Sequence, residues 1–223
     1  MLRLAIFDVD GTLVDSQATI VAAMAAGHDA AGLSMPSRER VLSIVGLSLD
    51  VACRALHPEA APDRLDVLAE AYKRDYAARR ARGEASPLFP GAREAIARLD
   101  AAGWLLAVAT GKSRRGLDHL IAEHGFAGVL VATRTADEAP SKPHPAMVED
   151  LLGLTGVEAG RAAMIGDTSF DMQMARAAGA RAVGVAWGYH PPEALRTAGA
   201  ETVIGDFADL DAALGGADQA VGS

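Results

Sequence analysis

The chain has 223 residues, half of them hydrophobic, and a formal net charge of −8. This length and composition predict one globular domain with a sizeable insertion, or two small domains, with a well-buried core. The acidic balance leaves no basic excess to attract phosphodiester backbones, so nucleic acid is not expected as a partner. No apolar stretch is long enough to span a bilayer and no signal peptide is visible, so we expect a cytoplasmic protein with no membrane partner.

Two local features have structural explanations that involve no catalysis. Cys53 is the single cysteine, which excludes an intrachain disulfide, and its apolar helical neighbours indicate a buried, inert thiol. Arg79, Arg80 and Arg82 fall in the last turn of a predicted helix, where cations offset the negative end of the helix dipole. Neither feature indicates a functional site.

The first half of the chain begins with a predicted strand over residues 2–7 and then becomes entirely helical up to residue 84. A helical pattern follows Asp15, and further helices are predicted over residues 37–45, 49–56 and 62–82. Tyr72 and Tyr76 lie on the apolar face of the last of these helices, which favours a packing role over substrate contact.

From residue 87 onward, helices and short apolar strands alternate. Helices are predicted over residues 92–102, 113–124, 145–154 and 169–178, and strands over 104–110, 129–132, 162–165, 182–185 and 202–204. This alternation predicts an α/β fold with a Rossmann-like, doubly wound parallel sheet. Residues 1–15 and 87–223 would form this core, residues 16–86 an inserted all-helical domain, and residues 215–223 a flexible tail.

The most informative motif is DVDGTLVDS, which starts at Asp8, directly after the first strand. Asp8 and Asp10 are two residues apart where the chain leaves the sheet, and Gly11 allows the backbone to bend both toward one pocket. Such a pair suits a nucleophile and a proton carrier. An Asp-rich turn with Gly11 at the positive-φ position explains the same residues.

Three more polar clusters follow predicted strands, and together they favour a functional site over a turn. They are Thr110, Gly111 and Lys112 after the second strand, Lys142 in a Pro-rich loop, and Gly166, Asp167 and Asp171 after the fourth strand. Ligands of open α/β sheets bind at the carboxyl ends of the strands, where these clusters are predicted to meet.

The four clusters, taken in order, resemble the haloacid dehalogenase-like superfamily of phosphohydrolases, in the branch with a helical cap inserted after the first motif. The first motif, DxDGT, matches from Asp8 to Thr12; the second matches at Thr110, the third at Lys142, and the fourth, GDxxxD, from Gly166 to Asp171. The resemblance covers essentially the whole chain and is closest to phosphoglycolate phosphatase-like members. It implies that residues 16–86 form the cap.

The resemblance also implies a role for each matching residue. Asp8 would attack phosphorus and become an aspartyl-phosphate, while Asp10 would protonate the leaving alkoxide and later deprotonate the attacking water. The Thr110 hydroxyl would hold phosphoryl oxygens. So would the backbone N–H groups around Gly11, Thr12 and Gly111, and Lys142 would neutralise Asp8 and the phosphate.

Four aspartates in one pocket repel one another, since each like-charged pair at about 4 Å costs about 4 kcal/mol at an effective dielectric of about 20. A cation is therefore required, and Mg²⁺ suits carboxylates, carbonyls and water. By resemblance, Asp8, Asp167 and the main-chain carbonyl of Asp10 would bind it. Asp171 would not bind the ion directly but would contact the groups around it. The expected partner is a small phosphorylated metabolite, and the protein would be a monomer or a homodimer.

Five other residues are weaker candidates for the functional site. Ser113 would cap the helix that starts beside Lys112, and we favour capping over catalysis for this pair. His144 lies between prolines and would begin a helix, and Trp187 would pack under the site. Gly46 lies where relatives place a substrate-facing cap loop, although a plain turn explains it almost as well.

Other activities fit the residues less well. Dehalogenases of this fold lack the second aspartate of the first motif, which is present here as Asp10. Phosphonate hydrolases use a cap lysine, but Lys73 is the only lysine before Lys112 and lies near the end of the cap. A phosphosugar mutase is the runner-up, although residues 17–24 lack the His that the hexose type carries. A non-catalytic binding protein would be expected to lack at least one of these catalytic groups.

Overall fold

A computed structural model of the chain describes residues 1–84 and 86–215. Within these ranges the strands are β1 (Leu4–Phe7), β2 (Leu105–Ala109), β3 (Leu130–Arg134), β4 (Ala162–Gly166), β5 (Arg181–Val185) and β6 (Thr202–Ile204). The helices are α1 (Gln17–Ala31), α2 (Arg38–Leu42), α3 (Leu49–Leu56), α4 (Pro62–Ala81), α5 (Ala92–Ala101), α6 (Arg114–His124), α7 (Ala146–Thr155), α8 (Ser169–Ala177), α9 (Pro192–Thr197) and α10 (Leu210–Gly215). The predicted flexible tail lies outside the described residues except for Gly215.

The six strands of the described chain form one parallel sheet in the order β3-β2-β1-β4-β5-β6. The predicted α/β class and doubly wound sheet are confirmed. The connections run in opposite directions on either side of β1 and β4, which are neighbours in register from Leu4↔Ala162 to Phe7↔Ile165. This reversal opens a crevice beyond the carboxyl ends of β1 and β4, the place where open α/β sheets bind ligands.

Alternating side chains of the strands build a core on each face of the sheet. Ala5 and Phe7 of β1 pack into one buried cluster with residues of α5 and α6, whereas Leu4 and Ile6 pack into a second cluster with α7 and α8. Both faces of the sheet are therefore covered, as expected for a parallel sheet.

The helical insert has an apolar cluster of its own. Ile20 and Met24 of α1 pack with Leu65 and Leu68 of α4, and Cys53 of α3 is buried among them. Burial raises the pKa of the Cys53 thiol to about 11, in agreement with the inert role predicted for it. Arg79, in the last turn of α4, pairs with Asp75 and with Glu84.

The predicted boundaries differ from the structure where a local backbone conformation overrides the periodic pattern. The helix predicted over residues 37–45 is short, because the chain turns after α2 and Gly46 adopts a φ of +101°. Helices α9 and α10 were not predicted. Leu195 is the single buried residue of α9, and six residues are too few to show a helical period.

No helix of the described ranges is long and apolar enough to cross a membrane.

The cap cluster yields a stability prediction. Leu68 is completely buried in α4, so Leu68→Ala should lower the free energy of unfolding by about 2–5 kcal/mol, through lost apolar burial and the cavity it leaves. The neighbouring Val67 is 46% exposed on the same helix, and Val67→Ala should change stability by less than about 0.5 kcal/mol. Urea denaturation of both variants measures the difference; equal losses would contradict the packing described here.

Candidate active site

Asp8 lies at the centre of the site, directly after β1, and is completely buried. Its main-chain N–H donates to the carbonyl of Ile165 in β4 at 2.9 Å, and its Oδ1 lies 2.8 Å from Nζ of Lys142. Within the described residues, neither carboxylate oxygen of Asp8 accepts a hydrogen bond of good geometry. Burial, opposed in part by Lys142 and reinforced by Asp171 and Asp10, raises the pKa of Asp8 to about 7.

Lys142 is buried between two carboxylates. Its Nζ lies 2.6 Å from Oδ1 of Asp171 as well as 2.8 Å from Asp8. Burial by itself lowers the pKa of Lys142, but the charges of Asp171 and Asp8 outweigh burial and raise it above the usual lysine value. The ammonium group therefore stays charged and offsets part of the acidic cluster.

A capping box at the start of α8 holds Asp171. Oδ2 of Asp171 accepts hydrogen bonds from the N–H of Thr168 at 3.0 Å and from its Oγ1 at 2.7 Å. Both oxygens of Asp171 therefore have partners, Oδ1 in Lys142 and Oδ2 in Thr168.

Asp167 follows β4 and is completely buried beside Asp8. Its Oδ1 accepts from the hydroxyl of Thr12 at 2.8 Å, and its Oδ2 accepts from the N–H of Tyr189 at 2.8 Å. Burial, and then the charges of Asp8 and Asp171, raise its pKa well above the ordinary range. Gly11 has a φ of +85° and touches this carboxylate so closely that a Cβ would collide with it.

The three buried carboxylates could hold a metal ion. One oxygen from each of Asp8, Asp167 and Asp171 lies within 4.8 Å of the others. A bound cation stabilises buried carboxylates that lie this close together, because it offsets their mutual repulsion. Mg²⁺ prefers such oxygen ligands, so the residues fit the ion expected from the sequence.

Asp10 has a different environment from the other three aspartates. It is 9% exposed, and its Oδ1 accepts a short hydrogen bond from the Ser16 hydroxyl. Oδ1 also lies 2.8 Å from Nζ of Lys112, and the Ser16 Oγ is 3.0 Å from the hydroxyl of Tyr189. Both contacts of the carboxylate are thus made through one oxygen.

Lys112 lines the cavity and contacts Asp10, a contact that the sequence did not indicate. Besides its contact with Asp10, its Nζ donates to the Tyr76 hydroxyl at 3.1 Å and lies 5.0 Å from the centre of that ring. Burial lowers the pKa of Lys112, but Asp10 and Tyr76 raise it further than burial lowers it. Lys112 therefore connects the first motif to α4 of the helical insert.

The groups expected to contact phosphate are in part already engaged. The N–H of Gly11 donates to Val14 at 2.9 Å and that of Thr12 to Val9 at 3.2 Å, so both are used within the loop. Thr12 contributes instead through its hydroxyl, which orients Asp167. Thr110 is buried and lines the same cavity as Asp8, together with Gly111, whose N–H has no hydrogen-bond partner among the described residues.

The weaker candidates divide between structural and site positions. Ser113 caps α6 by accepting from the N–H of Gly116 at 3.2 Å, and His144 is exposed at the start of α7. Trp187 packs against Phe207 beneath the site and donates from Nε1 to the Thr12 carbonyl at 3.0 Å. Gly46, in contrast, lines the cavity.

Sequence reasoning missed Ser16, Tyr76 and Tyr189 as parts of the site. Ser16 is the last residue of the DVDGTLVDS motif that follows β1, and Tyr189 lies in the loop that follows β5, so both have a signal in their position after a strand. Tyr72 and Tyr76 pack against the apolar cluster of the insert as predicted, but they also line the cavity. Their position on a helix far along the chain gives no such signal.

Comparison with known proteins agrees with this geometry. The family model described as haloacid dehalogenase-like hydrolase matches residues 5–185. The chain belongs to this hydrolase family. The matched region runs from β1 to the end of β5 and contains every residue of the acidic cluster.

Individual relatives cover nearly the whole chain. A Dickeya dadantii protein named "Probable phosphatase IndB" is 34% identical over 94% of this chain and 92% of its own. The phosphoglycolate phosphatase of Yersinia pseudotuberculosis is 33% identical over 94% of this chain and 91% of its own. The crystal structure of a hydrolase from Pseudomonas syringae aligns with a TM-score of 0.84 at 26% identity, covering 98% of this chain and 99% of that one.

The raised pKa of Asp8 makes a prediction for stability. Because Asp8 holds its proton up to about pH 7 in the folded protein but only to about pH 3.8 when unfolded, its contribution is favourable at low pH and is lost as pH rises through 7. In metal-free protein, Asp8→Asn should therefore raise stability near pH 8 by up to about 4 kcal/mol, since each pKa unit is worth about 1.4 kcal/mol.

Thermal unfolding in chelator, followed from about pH 8 to about pH 5, measures this effect. The stabilisation by Asp8→Asn should shrink as pH falls. Asp29 is exposed, and Asp29→Asn serves as the surface control for the same change of side chain. A destabilised Asp8→Asn protein at pH 8 would contradict the charge distribution described here.

The position of Lys112 makes a prediction for turnover. Lys112→Met should lower kcat/KM by about tenfold or more, because a hydrogen bond to a charged group is worth about 1.5–3 kcal/mol and tenfold in rate is about 1.4 kcal/mol. Tyr76→Phe keeps the ring and removes only one partner of Lys112, so its loss should be smaller. Steady-state measurement of kcat/KM for both variants compares the two contacts of Lys112. A larger loss of kcat/KM for Tyr76→Phe than for Lys112→Met would contradict the importance of the contact with Asp10.

Proposed function

We propose that the protein is a Mg²⁺-dependent phosphatase that hydrolyses small phosphate monoesters through an aspartyl-phosphate on Asp8. The observation that carries the proposal is the Asp8 carboxylate, which is buried at the end of β1, lies 2.8 Å from Nζ of Lys142 and accepts no hydrogen bond of good geometry from the described residues. A carboxylate with no donors of good geometry among the described residues is a poor structural group and a well-placed nucleophile. Membership of a hydrolase family supports the same conclusion.

In the first step, an Oδ atom of Asp8 attacks phosphorus, the phosphorus–oxygen ester bond breaks, and the leaving alkoxide takes a proton from Asp10. In the second step, water attacks the phosphorus of the aspartyl-phosphate while Asp10 accepts its proton, which releases phosphate and restores Asp8. The contacts of Ser16 and Lys112 with one oxygen of Asp10 support this role, because they leave its other oxygen to exchange protons.

Charge balance around the transferred phosphoryl group comes from several groups. Lys142 would neutralise Asp8 and the phosphate, and the Thr110 hydroxyl and the Gly111 N–H would donate to phosphoryl oxygens. Mg²⁺, held by Asp8, Asp167 and the carbonyl of Asp10, would favour the ionised form of Asp8 and offset the phosphate charge. Asp171 would act indirectly, by orienting Lys142.

We also propose that residues 16–86 act as a cap over a core formed by residues 1–15 and 87–223. Relatives that are named phosphoglycolate phosphatase support a small phosphorylated metabolite as the substrate class. A cytoplasmic location and a monomeric or homodimeric state stay predictions from the sequence.

A phosphosugar mutase of the same fold is the alternative function. A mutase would pass the phosphoryl group from Asp8 to a second sugar hydroxyl, whereas a phosphatase passes it to water. A non-catalytic binding protein would transfer it to neither. Release of inorganic phosphate distinguishes the phosphatase from the other two, and formation of an isomeric sugar phosphate distinguishes the mutase from the binding protein.

Phosphate release from a generic monoester, with and without Mg²⁺, tests the proposal. Asp8→Asn should abolish turnover, and Asp10→Asn should lower it by about 10²–10⁴-fold, the usual contribution of a general acid–base group. Lys142→Ala should also be severely impaired. Asp15 is exposed in the same motif, so Asp15→Asn is the matched control and should retain activity.

The covalent step has a test of its own. After acid quenching with a substrate that is radiolabelled in its phosphate group, the wild-type chain should carry the label and the Asp8→Asn chain should carry none. Substantial phosphate release by Asp8→Asn, or label on another residue, would refute Asp8 as the nucleophile.

A further inference from the structure

Several contacts join the helical insert to the rest of the chain around the cavity above Asp8. The N–H of Ser48 donates to Oγ of Ser141 at 2.8 Å, and Nε2 of His190 lies 3.2 Å from the Ser43 carbonyl. Gly111 lies so close to the Gly46 carbonyl that a Cβ would come within 2.6 Å of it. The cavity is therefore measured in a structure in which the insert already contacts the rest of the chain.

Even with these contacts in place, the cavity measures about 670 Å³. Pockets of about 300–1,000 Å³ are those that enclose drug-sized organic ligands. A two-carbon acid with one phosphate group would fill only a small part of this space. The size thus favours a substrate with a larger organic part than glycolate.

The wall contributed by the insert is mainly apolar where it is buried. Ile20, Met24, Ile44, Val45 and Ala52 line it, and each is at most 7% exposed. These five side chains offer no hydrogen bonds to replace the water lost by a polyhydroxylated chain, so this part of the wall disfavours a sugar. The polar side chains of the insert that line the cavity are not buried, apart from Ser48. A flat apolar group gains from the same burial.

Two tyrosines complete this part of the cavity. The rings of Tyr72 and Tyr76 lie 5.8 Å apart with an angle of 36° between their planes. The Tyr76 hydroxyl is held by Lys112, but within the described residues the Tyr72 hydroxyl has no hydrogen-bond partner. Aromatic walls with one available polar group suit a ring that carries a polar substituent.

We infer that the substrate is a phosphate monoester whose alcohol carries an aromatic or similarly flat apolar ring, bound between Tyr72 and the apolar wall of the insert. This inference rests on the proposed phosphatase function, because it places the phosphate at Asp8 and the ring against the wall that the insert contributes to the same cavity. It assigns substrate selection to the insert and chemistry to the strand ends.

Matched substrates test the inference without a change in leaving-group type. With Mg²⁺ present, 2-phenylethyl phosphate should have a kcat/KM at least tenfold above those of ethyl phosphate and 2-phosphoglycolate. All three release a primary alkoxide, so the difference reports on the ring. A kcat/KM that is highest for 2-phosphoglycolate would overturn the inference and leave the phosphatase function standing.

A variant that fills the cavity locates the ring. Ala69 lines the cavity on α4, and Ala69→Phe should reduce the preference for 2-phenylethyl phosphate over ethyl phosphate at least fivefold. Ala78 is exposed on the same helix, so Ala78→Phe is the matched control and should leave the preference unchanged. An unchanged preference in a folded Ala69→Phe protein would overturn the placement of the ring.

A binding measurement separates the inference from catalysis. Calorimetry with 2-phenylethylphosphonate and ethylphosphonate, which do not contain the ester bond, should show at least tenfold tighter binding of the ring compound. The same result in a protein that releases no phosphate from any monoester would refute the proposed function but support the cavity assignment. Equal affinities would overturn the inference in either case.

Discussion

The structure depends on how the buried negative charges at the ends of β1 and β4 are balanced. Asp8, Asp167 and Asp171 share a pocket from which water is largely excluded, and Lys142 lies within 2.8 Å of two of them. The raised pKa values of Asp8 and Asp167 indicate that this ammonium group does not offset the whole charge. A cation bound among these carboxylates would offset the charge that remains.

The sheet topology is what brings these charges together. β1 and β4 are hydrogen-bonded neighbours although more than 150 residues separate them, and the carboxylates follow directly where both strands end. The capping box of Thr168 and Asp171 then fixes Asp171 at the start of α8, where it holds Lys142. Ordinary elements of secondary structure therefore supply both the positions and the orientations of the charged groups.

The helical insert contributes contacts of a different kind. Lys112 lies between Asp10 of the first motif and Tyr76 of α4, so a movement of the insert changes the surroundings of Asp10 directly. The apolar wall and the tyrosines come from the insert, whereas the carboxylates come from the strand ends. Under the proposed function, this division separates recognition of the organic group from handling of the phosphate.

The sequence by itself determined the α/β class, the six strands and the acidic motifs, because strand periodicity and residues at strand ends are local signals. It did not reveal that Lys112 contacts Asp10 or that Tyr76 and Tyr189 belong to the site. Nor did it show that the Gly11 and Thr12 amides are used within their own loop. Those facts depend on packing between elements far apart in the chain, and only the tertiary structure decides which side chains meet across a cavity.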